Sequence, residues 1–518
     1  MTSRRDSSCD APDGRGHGTD NLSLRERSLG PQVQAGEGKK RASFYTLGCR
    51  LNQAETALIA ECFRQTGYAI VEHGTPVDVA VIHTCSVTER ADARCRQEIR
   101  KIRRRSPRAI VCAVGCYAQA EPQTVAAIGG IDLVVGNDRK FALADLIEDL
   151  VDSRGGVPVS PWADVGTARR APTENTGTEG RGLGTVRGLP AVFVSPRPDA
   201  ADIAYPMAGY YPHQTRANIK VQDGCDFCCA FCILPRIRGE ACSRPLGEII
   251  AEGLELARRG HKELVVTGVN VGTYCHEDHT LADVARSLAD VPGVERVRIS
   301  STEPTTVNDE LLAWMAESPK ACRHLHLPLQ SGDDRVLARM KRVYTASQYA
   351  RFVERVKTLM PDLGLGTDIM VGFPGEGDRE FASTVRLVEE LPFSYLHVFS
   401  YSDRPKTAGM YLGDKCTADE IKERSAIMHD LAARKKRQFF EDHLGRTVEV
   451  LFETVDDDGW RKGFTGSYLR VGVPPDHARE NEVSDAIIDD VAADFCRAAE
   501  ARRVEDPACG AVPSGCGV

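Results

Sequence analysis

The sequence predicts an α/β protein in which two domains of alternating strands and helices precede a small C-terminal β-barrel. Two series of apolar runs, beginning near residues 42 and 217, alternate with helical patterns. Such alternation is typical of parallel sheets with helical crossovers. After residue 446 the apolar runs resemble strands only and are separated by turn residues. The length of 518 residues agrees with several domains rather than one.

The first α/β domain is predicted at residues 41–150. Residues 1–40 are rich in Gly, Ser, Asp and Arg, which predicts a disordered N-terminal extension. Four apolar runs are predicted to be buried strands, at 42–47, 78–83, 109–114 and 131–135. Helical patterns lie between them, at roughly 52–66, 87–105 and 119–128. Residues 151–210 are rich in Pro, Gly, Thr and Arg without periodicity, which predicts a linker or insertion.

The second α/β domain is predicted at residues 211–437. Its six or so β/α units predict a partial (β/α)6 barrel rather than a complete eightfold one. The predicted strands are 217–222, 263–269, 294–300, 323–327, 363–371 and 394–400. Residues 438–490 contain two strand-like runs around a DDDG turn, which predicts a small and incomplete β-barrel module. Residues 491–518 are predicted to be a tail that contains Cys509 and Cys516.

Composition excludes several classes of protein. The net charge of −8 excludes a uniformly basic nucleic-acid-binding protein, although local basic patches remain possible. No apolar run approaches the ~20 residues that cross a bilayer, and the first residues lack the apolar core of a secretory signal. We therefore expect a cytoplasmic protein without a membrane partner. In that reducing compartment the 18 cysteines are expected to be metal ligands, redox groups or core residues.

Three cysteines form a C-x3-C-x2-C array directly after the first strand of the second domain. They are Cys225, Cys229 and Cys232 in the run GCDFCCAFCILP. Three thiolates at this spacing can hold three irons of a [4Fe-4S] cluster. The fourth iron is then open to S-adenosylmethionine, which the reduced cluster can cleave to a radical. The alternatives are a zinc site, although zinc commonly takes four protein ligands, and coincidental cysteines of the core. Cys228 lies off the spacing and is predicted to pack.

This loop resembles the cluster loop of the radical S-adenosylmethionine superfamily. Three further runs resemble its methylthiotransferase branch, namely RISSTEP (298–304), LHLPLQSGDDRVLARMKRVYT (325–345) and GTDIMVGFPGE (366–376). The resemblance extends over roughly residues 42–473 and implies that the array holds the radical-generating cluster. Glu303 and Gln330 follow predicted barrel strands and are candidates to contact S-adenosylmethionine, with helix capping or loop hydrogen bonding as the alternative.

The resemblance also implies a second [4Fe-4S] cluster, held by Cys49, Cys85 and Cys116 of the first domain. Each of these cysteines directly follows a predicted strand. Because the carboxyl ends of parallel strands share one edge of a sheet, the three thiols can converge there. A buried structural cysteine is the alternative at any one position. Three other cysteines lack this placement and are predicted to pack in the core: Cys62, Cys95 and Cys112.

Within the branch, the runs LGCRLNQAE and TCSVTERAD most resemble the MtaB-type. The resemblance therefore implies transfer of a methylthio group to carbon 2 of N6-threonylcarbamoyladenosine beside the anticodon of tRNA. It also implies an electron donor such as flavodoxin or ferredoxin. A RimO-type chain, which acts on a ribosomal protein, would carry Pro-Lys-Asn where Arg50, Leu51 and Asn52 stand here. The alternatives are MiaB-type modification of isopentenyladenosine in tRNA, or a non-enzymatic iron–sulfur protein that binds tRNA or senses redox state.

Three segments bear on RNA binding. The small C-terminal module resembles the TRAM domain, but the acidic chain after residue 474 disfavours RNA binding by it. The helical run RCRQEIRKIRRRSPR (94–108) and the run RKKR (434–437) are candidate phosphate contacts, with a solvated helix face as the alternative. Both clusters must serve one pocket, so the two α/β domains are expected to pack face to face. No sequence feature indicates an oligomeric state.

Overall fold

The computed structural model describes most of the three predicted domains. The described residues are 27–29, 39–85, 89–152, 190–196, 198, 205, 208–212 and 214–503. Most of the predicted extension and linker, and Cys509 and Cys516 of the predicted tail, therefore lie outside the described residues. Within the described part of the chain, no helix combines the length and the apolar character that a membrane-spanning segment needs.

A seven-stranded sheet forms the centre of the N-terminal domain. Its strands are β1 (Arg27–Leu29), β2 (Arg41–Thr46), β3 (Ala69–Ile70), β4 (Val79–Thr84), β5 (Ile110–Gly115), β6 (Leu133–Val135) and β7 (Ala191–Phe193). The order is β1-β2-β4-β5-β6-β7 with β3 beside β2, and only the β1–β2 pair is antiparallel. All four predicted strands are present. The sheet is wider than predicted, because β1 lies in the predicted extension and β7 in the predicted linker.

In the described part of this domain, five helices connect the strands and cover the sheet. They are α1 (Arg50–Gln65), α2 (Glu89–Arg105), α3 (Cys116–Ala120), α4 (Pro122–Ala126) and α5 (Leu143–Asp152). Two hydrophobic clusters fill the space between helices and sheet, one on each face. Phe44 and Phe63 pack edge to face in one of them, with ring centroids 5.4 Å apart. A sheet covered on both faces is what parallel strands require.

The central domain is a partial barrel. Its strands and ribbons are β8 (Arg216–Lys220), β9 (Gln222–Asp223), β10 (Cys242–Ser243), β11 (Glu263–Thr267), β12 (Cys275–His276), β13 (His279–Thr280), β14 (Arg296–Ile299), β15 (His324–His326), β16 (Gly364–Val371) and β17 (Tyr395–Ser400). The parallel trios β14-β11-β8 and β15-β16-β17 are joined by single bridges, including Ser301 with His326. The prediction of six parallel barrel strands is confirmed.

Eight helices accompany the barrel among the residues that the structure describes. They are α6 (Leu234–Arg238), α7 (Leu246–Arg258), α8 (Leu281–Ala289), α9 (Asp309–Glu317), α10 (Asp334–Arg339), α11 (Ala346–Leu359), α12 (Asp378–Glu390) and α13 (Ala418–Glu441). Outward-facing strand residues such as Leu264, Val297 and Leu325 pack in the largest hydrophobic cluster together with helix residues. Because side chains alternate along a strand, the polar residues between them face the barrel interior. This interior set includes Lys220, Glu263, Arg298, His324, His326, Asp368, Tyr395 and His397.

The C-terminal module is a closed five-stranded barrel. Its strands are β18 (Thr447–Val455), β19 (Arg461–Thr465), β20 (Arg470–Val473), β21 (Val483–Val491) and β22 (Cys496–Arg503), in the order β18-β19-β20-β22-β21. The prediction that this module is incomplete is therefore wrong, and β22 lies in the segment predicted as a tail. The strands were missed because small and acidic residues mask the alternation that buries Ala486, Ile488, Cys496 and Ala498.

Both outer domains pack against the central barrel. Helix α1 of the N-terminal domain lies against β8, and its residue Ala57 belongs to the central hydrophobic cluster. From the other side, Arg296 and Arg298 donate hydrogen bonds to backbone oxygens at the end of β19, at 2.9 Å to Phe464 and 2.9 Å to Thr465. The expected packing of the two α/β domains is present.

Candidate active site

The three cysteines of the barrel loop lie at the C-terminal edge of the barrel. Cys225, Cys229 and Cys232 are half-buried and follow β9. The Cys232 N–H donates to the carbonyl oxygen of Cys229 at 3.1 Å, and the Ala230 N–H donates to that of Met340 at 3.0 Å. Burial raises the pKa of the Cys232 thiol to about 12. These thiols are therefore protonated by themselves, and a metal must displace the protons to bind.

Arg342 connects the barrel cysteines to Glu303. Its guanidinium donates to Cys229 Sγ at 3.3 Å, to a Glu303 carboxylate oxygen and to the Tyr344 hydroxyl at 2.9 Å. Burial raises the pKa of Glu303, and the Arg342 charge opposes that shift. The sequence identified Glu303 but not Arg342. A cation beside Cys229 stabilises the thiolate form that a metal needs.

Several buried polar atoms at the same edge of the barrel lack partners. Apart from the Cys225 thiol beside Asn270, no described residue satisfies the Asn270 amide, the Thr302 hydroxyl or Gln330 Oε1. Gln330 also has a φ of 68°, in the left-handed region, so its loop holds it at an energetic cost. Buried polar groups are normally paired. This set therefore fits a polar ligand at the barrel cysteines.

Three cysteines of the N-terminal domain lie at one edge of its sheet. Cys49 follows β2, Cys85 follows β4 and Cys116 follows β5. A Cβ atom on Gly48 would lie 2.8 Å from Cys85 Sγ, and the φ of Gly48 is +105°. Only glycine therefore lets the Cys49 segment approach Cys85 this closely. Cys49 and Cys116 lie near enough to interact electrostatically. The structure thus brings all three residues together, as the strand ends predict.

The comparison with known proteins agrees with this arrangement. The chain matches the Radical SAM superfamily over residues 219–388 and the Uncharacterized protein family UPF0004 over residues 41–136. It is 33% identical over 436 residues to the threonylcarbamoyladenosine tRNA methylthiotransferase MtaB of Bacillus subtilis (strain 168), which covers 83% of this chain and 89% of that relative. The chain belongs to the radical S-adenosylmethionine methylthiotransferase family.

Two further relatives of this methylthiotransferase have names that refer to two different modified adenosines. The MtaB protein of Aquifex aeolicus is 35% identical over 412 residues, which cover 79% of this chain and 92% of the relative. The tRNA-2-methylthio-N(6)-dimethylallyladenosine synthase of Coxiella burnetii is 30% identical over 422 residues, with coverages of 80% and 88%. Family membership confirms the predicted cofactors, which are S-adenosylmethionine and [4Fe-4S] clusters.

A buried charge network joins the two α/β domains of the methylthiotransferase. Glu55 Oε1 of α1 accepts from Lys140 at 2.6 Å, from Lys220 of β8 at 2.7 Å and from Arg238 of α6 at 2.8 Å. Asp223 also binds Lys220 and Arg238. Burial alone would raise the pKa of Glu55, but the three cations hold it well below its usual range. All five side chains are almost completely buried.

Arg238 links this network to the N-terminal cysteines. Its Nη2 lies 3.3 Å from Cys116 Sγ, and it belongs to α6, which directly follows the barrel cysteine loop. Three buried cations face two buried carboxylates in the network. A thiolate at Cys116 would therefore balance the remaining positive charge. Sequence spacing gave no signal for this contact, because Arg238 and Cys116 are 122 positions apart.

Removing the Glu55 carboxylate from this network should destabilise the folded protein. We expect Glu55→Gln to lower the free energy of unfolding by about 3–5 kcal/mol, because it leaves buried cations without their partner. Urea unfolding at pH 7 measures the loss. The difference should shrink only in acid, below the ordinary glutamate pKa of about 4.3, because Glu55 titrates lower when folded. The half-exposed pair of Glu148 with Lys40 provides the control, and Glu148→Gln should cost at most about 1 kcal/mol.

A second polar cluster lies in the barrel interior and was not predicted. His326 Nε2 and His397 Nδ1 both bind Asp368 Oδ1, at 2.9 and 3.0 Å. Burial would raise the pKa of Asp368, but the two imidazoles hold it well below its usual range. The three potential ligand atoms lie within 4.8 Å of one another. Such a set can bind a polar substrate or a divalent metal.

Proposed function

We propose that the protein transfers a methylthio group to carbon 2 of N6-threonylcarbamoyladenosine next to the anticodon of tRNA. The observation that carries this proposal is the presence of two three-cysteine sites, one on each α/β domain, with Arg238 of the helix after the barrel cysteine loop in contact with Cys116. The substrate follows from the relatives, since the two MtaB proteins above are 33% and 35% identical and the dimethylallyladenosine synthase is 30% identical. MiaB-type modification is the second candidate.

Each cysteine set has a proposed role. Cys225, Cys229 and Cys232 would hold one [4Fe-4S] cluster, and Cys49, Cys85 and Cys116 would hold the other. When bound, the barrel cluster supplies reductive cleavage of S-adenosylmethionine to a 5′-deoxyadenosyl radical. A radical is required because a ring carbon–hydrogen bond offers no acidic proton to a general base.

The other polar residues at the C-terminal edge of the barrel are proposed to bind and orient S-adenosylmethionine and the cysteine loop. Asn270, Thr302 and Gln330 offer unpaired polar atoms to the amino, carboxylate and hydroxyl groups of S-adenosylmethionine. Glu303 holds Arg342, which in turn holds Cys229. Glu303 therefore acts through Arg342 as a positioning residue in this proposal. We also propose a cytoplasmic location, where tRNA and an electron donor such as flavodoxin or ferredoxin are available.

Nucleoside analysis tests the proposed substrate. Mass spectrometry of tRNA from a deletion strain should show that 2-methylthio-N6-threonylcarbamoyladenosine is lost while the methylthiolated isopentenyladenosine persists. The reverse result would establish the MiaB-type activity. A non-enzymatic iron–sulfur protein would change neither nucleoside, and the purified protein would produce no 5′-deoxyadenosine by chromatography.

The surface that binds tRNA is proposed to include α2 rather than the C-terminal barrel. Residues 447–503 contain 13 acidic and 7 basic residues, so the barrel repels phosphates overall. On α2, Arg96, Arg100 and Arg104 are exposed at successive helical turns, and no carboxylate of the described residues pairs with them. In the run RKKR, by contrast, Arg434 and Arg437 pair with glutamates.

Removing two of the α2 charges should weaken tRNA binding. We expect the double variant Arg100→Gln, Arg104→Gln to bind tRNA less tightly, with a slope of log affinity against log salt that is shallower by roughly 1–2. Binding titrations at several salt concentrations measure both quantities. The double variant Arg434→Gln, Arg437→Gln removes the same charge from the paired site and should bind as the wild type does. Equal losses in both variants would refute a specific role for α2.

A further inference from the structure

Arg50 carries a charge that no carboxylate in the described part of the chain neutralises. It is the first residue of α1 and directly follows Cys49. Its Nη2 donates to the Tyr468 hydroxyl, and its guanidinium carbon lies 5.2 Å from the centre of that ring. The arginines of the barrel strands differ, because each has a carboxylate partner: Arg216 with Glu453 at 2.8 Å, Arg296 with Glu449 at 2.6 Å and Arg298 with Glu263 at 2.6 Å.

Tyr468 places this charge at the barrel interior. It lies in the turn between β19 and β20, and its ring centroid is 4.8 Å from that of His324 and 5.8 Å from that of Tyr395. The φ of Tyr468 is 70°, a left-handed conformation that costs energy in a non-glycine residue. The packing of all three domains therefore holds the aromatic ring under Arg50. A cation fixed in this way is preorganised for an anion.

The groups around Arg50 are polar but mostly uncharged. Burial lowers the pKa of His324, and the charges of Arg298 and Arg50 lower it further; burial also lowers the pKa of His397, although Asp368 opposes that shift, so both imidazoles are neutral at pH 7. The carboxylate of Asp368 is already bound by two imidazoles. The Tyr395 hydroxyl lies within hydrogen-bonding distance of His324, at 2.9 Å. The site thus combines one available cation with neutral hydrogen-bonding groups.

We propose that Arg50 binds the carboxylate of the threonylcarbamoyl group and selects this nucleoside over isopentenylated adenosine. The inference rests on the proposed function and adds the residue that recognises the modified nucleoside. Guanidinium groups bind carboxylates through two parallel hydrogen bonds. An isopentenyl group has no polar atom, so it would leave the Arg50 charge without an anionic partner. Because Arg50 follows Cys49, a carboxylate bound there keeps the adenine close to the N-terminal cysteines.

The test compares two RNA substrates that differ in one charge. Anticodon stem-loops carry either N6-threonylcarbamoyladenosine or its methyl ester, and kcat/KM for methylthiolation is measured with each. The wild type should prefer the free acid. The variant Arg50→Gln should lose about tenfold to a hundredfold on the acid and little on the ester. The kcat/KM of Arg50→Lys on the acid should lie between those of the wild type and Arg50→Gln, because lysine keeps the charge but loses the planar guanidinium.

Two controls separate charge recognition from damage to the fold. Arg64→Gln removes another arginine of α1, one that is half-exposed and paired with Glu61, and should behave as the wild type does. Iron content reports whether Cys49 still functions in each variant. If Arg50→Gln lowered kcat/KM equally on the acid and on the ester, or lowered it on neither substrate, the inference would be overturned. Wild-type activity on isopentenylated RNA alone would instead overturn the proposed function on which the inference rests.

Discussion

Replacing Cys229 with alanine is expected to abolish both cleavage of S-adenosylmethionine and methylthiolation of tRNA. Cys229 is the middle residue of the barrel array and the one that Arg342 contacts. Without its thiolate the loop offers only two ligands, which is too few for a [4Fe-4S] cluster with one open iron. After anaerobic reconstitution the wild type should contain about eight irons per chain, and Cys229→Ala about four. Chromatography should detect no 5′-deoxyadenosine.

Cys228 provides the matched control, because it is the adjacent residue in the same loop. The prediction that Cys228 packs is wrong, because its side chain is exposed, and its thiol donates to the Asp226 carbonyl oxygen at 3.8 Å. Cys228→Ala should therefore retain about eight irons and full formation of 5′-deoxyadenosine. If Cys229→Ala still cleaved S-adenosylmethionine, or if Cys228→Ala did not, the assignment of the three ligands would be wrong.

A strand could be predicted from the sequence where its own residues form an apolar run or an alternating apolar pattern. Each buried strand of the N-terminal domain is a run of apolar residues, because both faces of a parallel sheet are covered. The barrel strands were found as well, although their inward residues are polar, since Leu264, Val266 and similar residues still alternate outward. β22 was missed because Cys496 and Ala498 are too small to mark the buried face of a strand.

The residues of the candidate site also fall into two groups, those that local sequence predicts and those that it does not. The cysteines could be predicted because each follows a strand, so that local sequence places it at a known edge. Contacts between domains gave no such signal. Glu55 and Arg238 are 183 positions apart, and Arg50 and Tyr468 are 418 positions apart. These pairs depend on how α1 packs against the barrel and how the β19–β20 turn enters it, which no periodicity specifies.

The simultaneous replacement of Cys49, Cys85 and Cys116 with alanine should separate the two reactions. We expect this variant to contain about four irons, to form 5′-deoxyadenosine from S-adenosylmethionine, and to transfer no methylthio group to tRNA. Cleavage should survive because the barrel loop is fixed by its own contacts, such as the 3.2 Å hydrogen bond from the Cys225 N–H to the Gly239 carbonyl oxygen. Iron analysis, chromatography and nucleoside mass spectrometry measure the three outcomes.

The buried network predicts that this triple variant still folds. Arg238 loses its thiol partner, but Glu55 and Asp223 continue to bind it, at 2.8 and 3.1 Å. A control variant replaces the three N-terminal cysteines that do not follow strand ends, Cys62, Cys95 and Cys112, and should retain methylthiolation. Loss of S-adenosylmethionine cleavage in the first variant would contradict separate roles for the two sites. It would mean instead that Cys116 supports the barrel loop, either through its contact with Arg238 of α6 or through Ile233, which packs in the same hydrophobic cluster as Cys116.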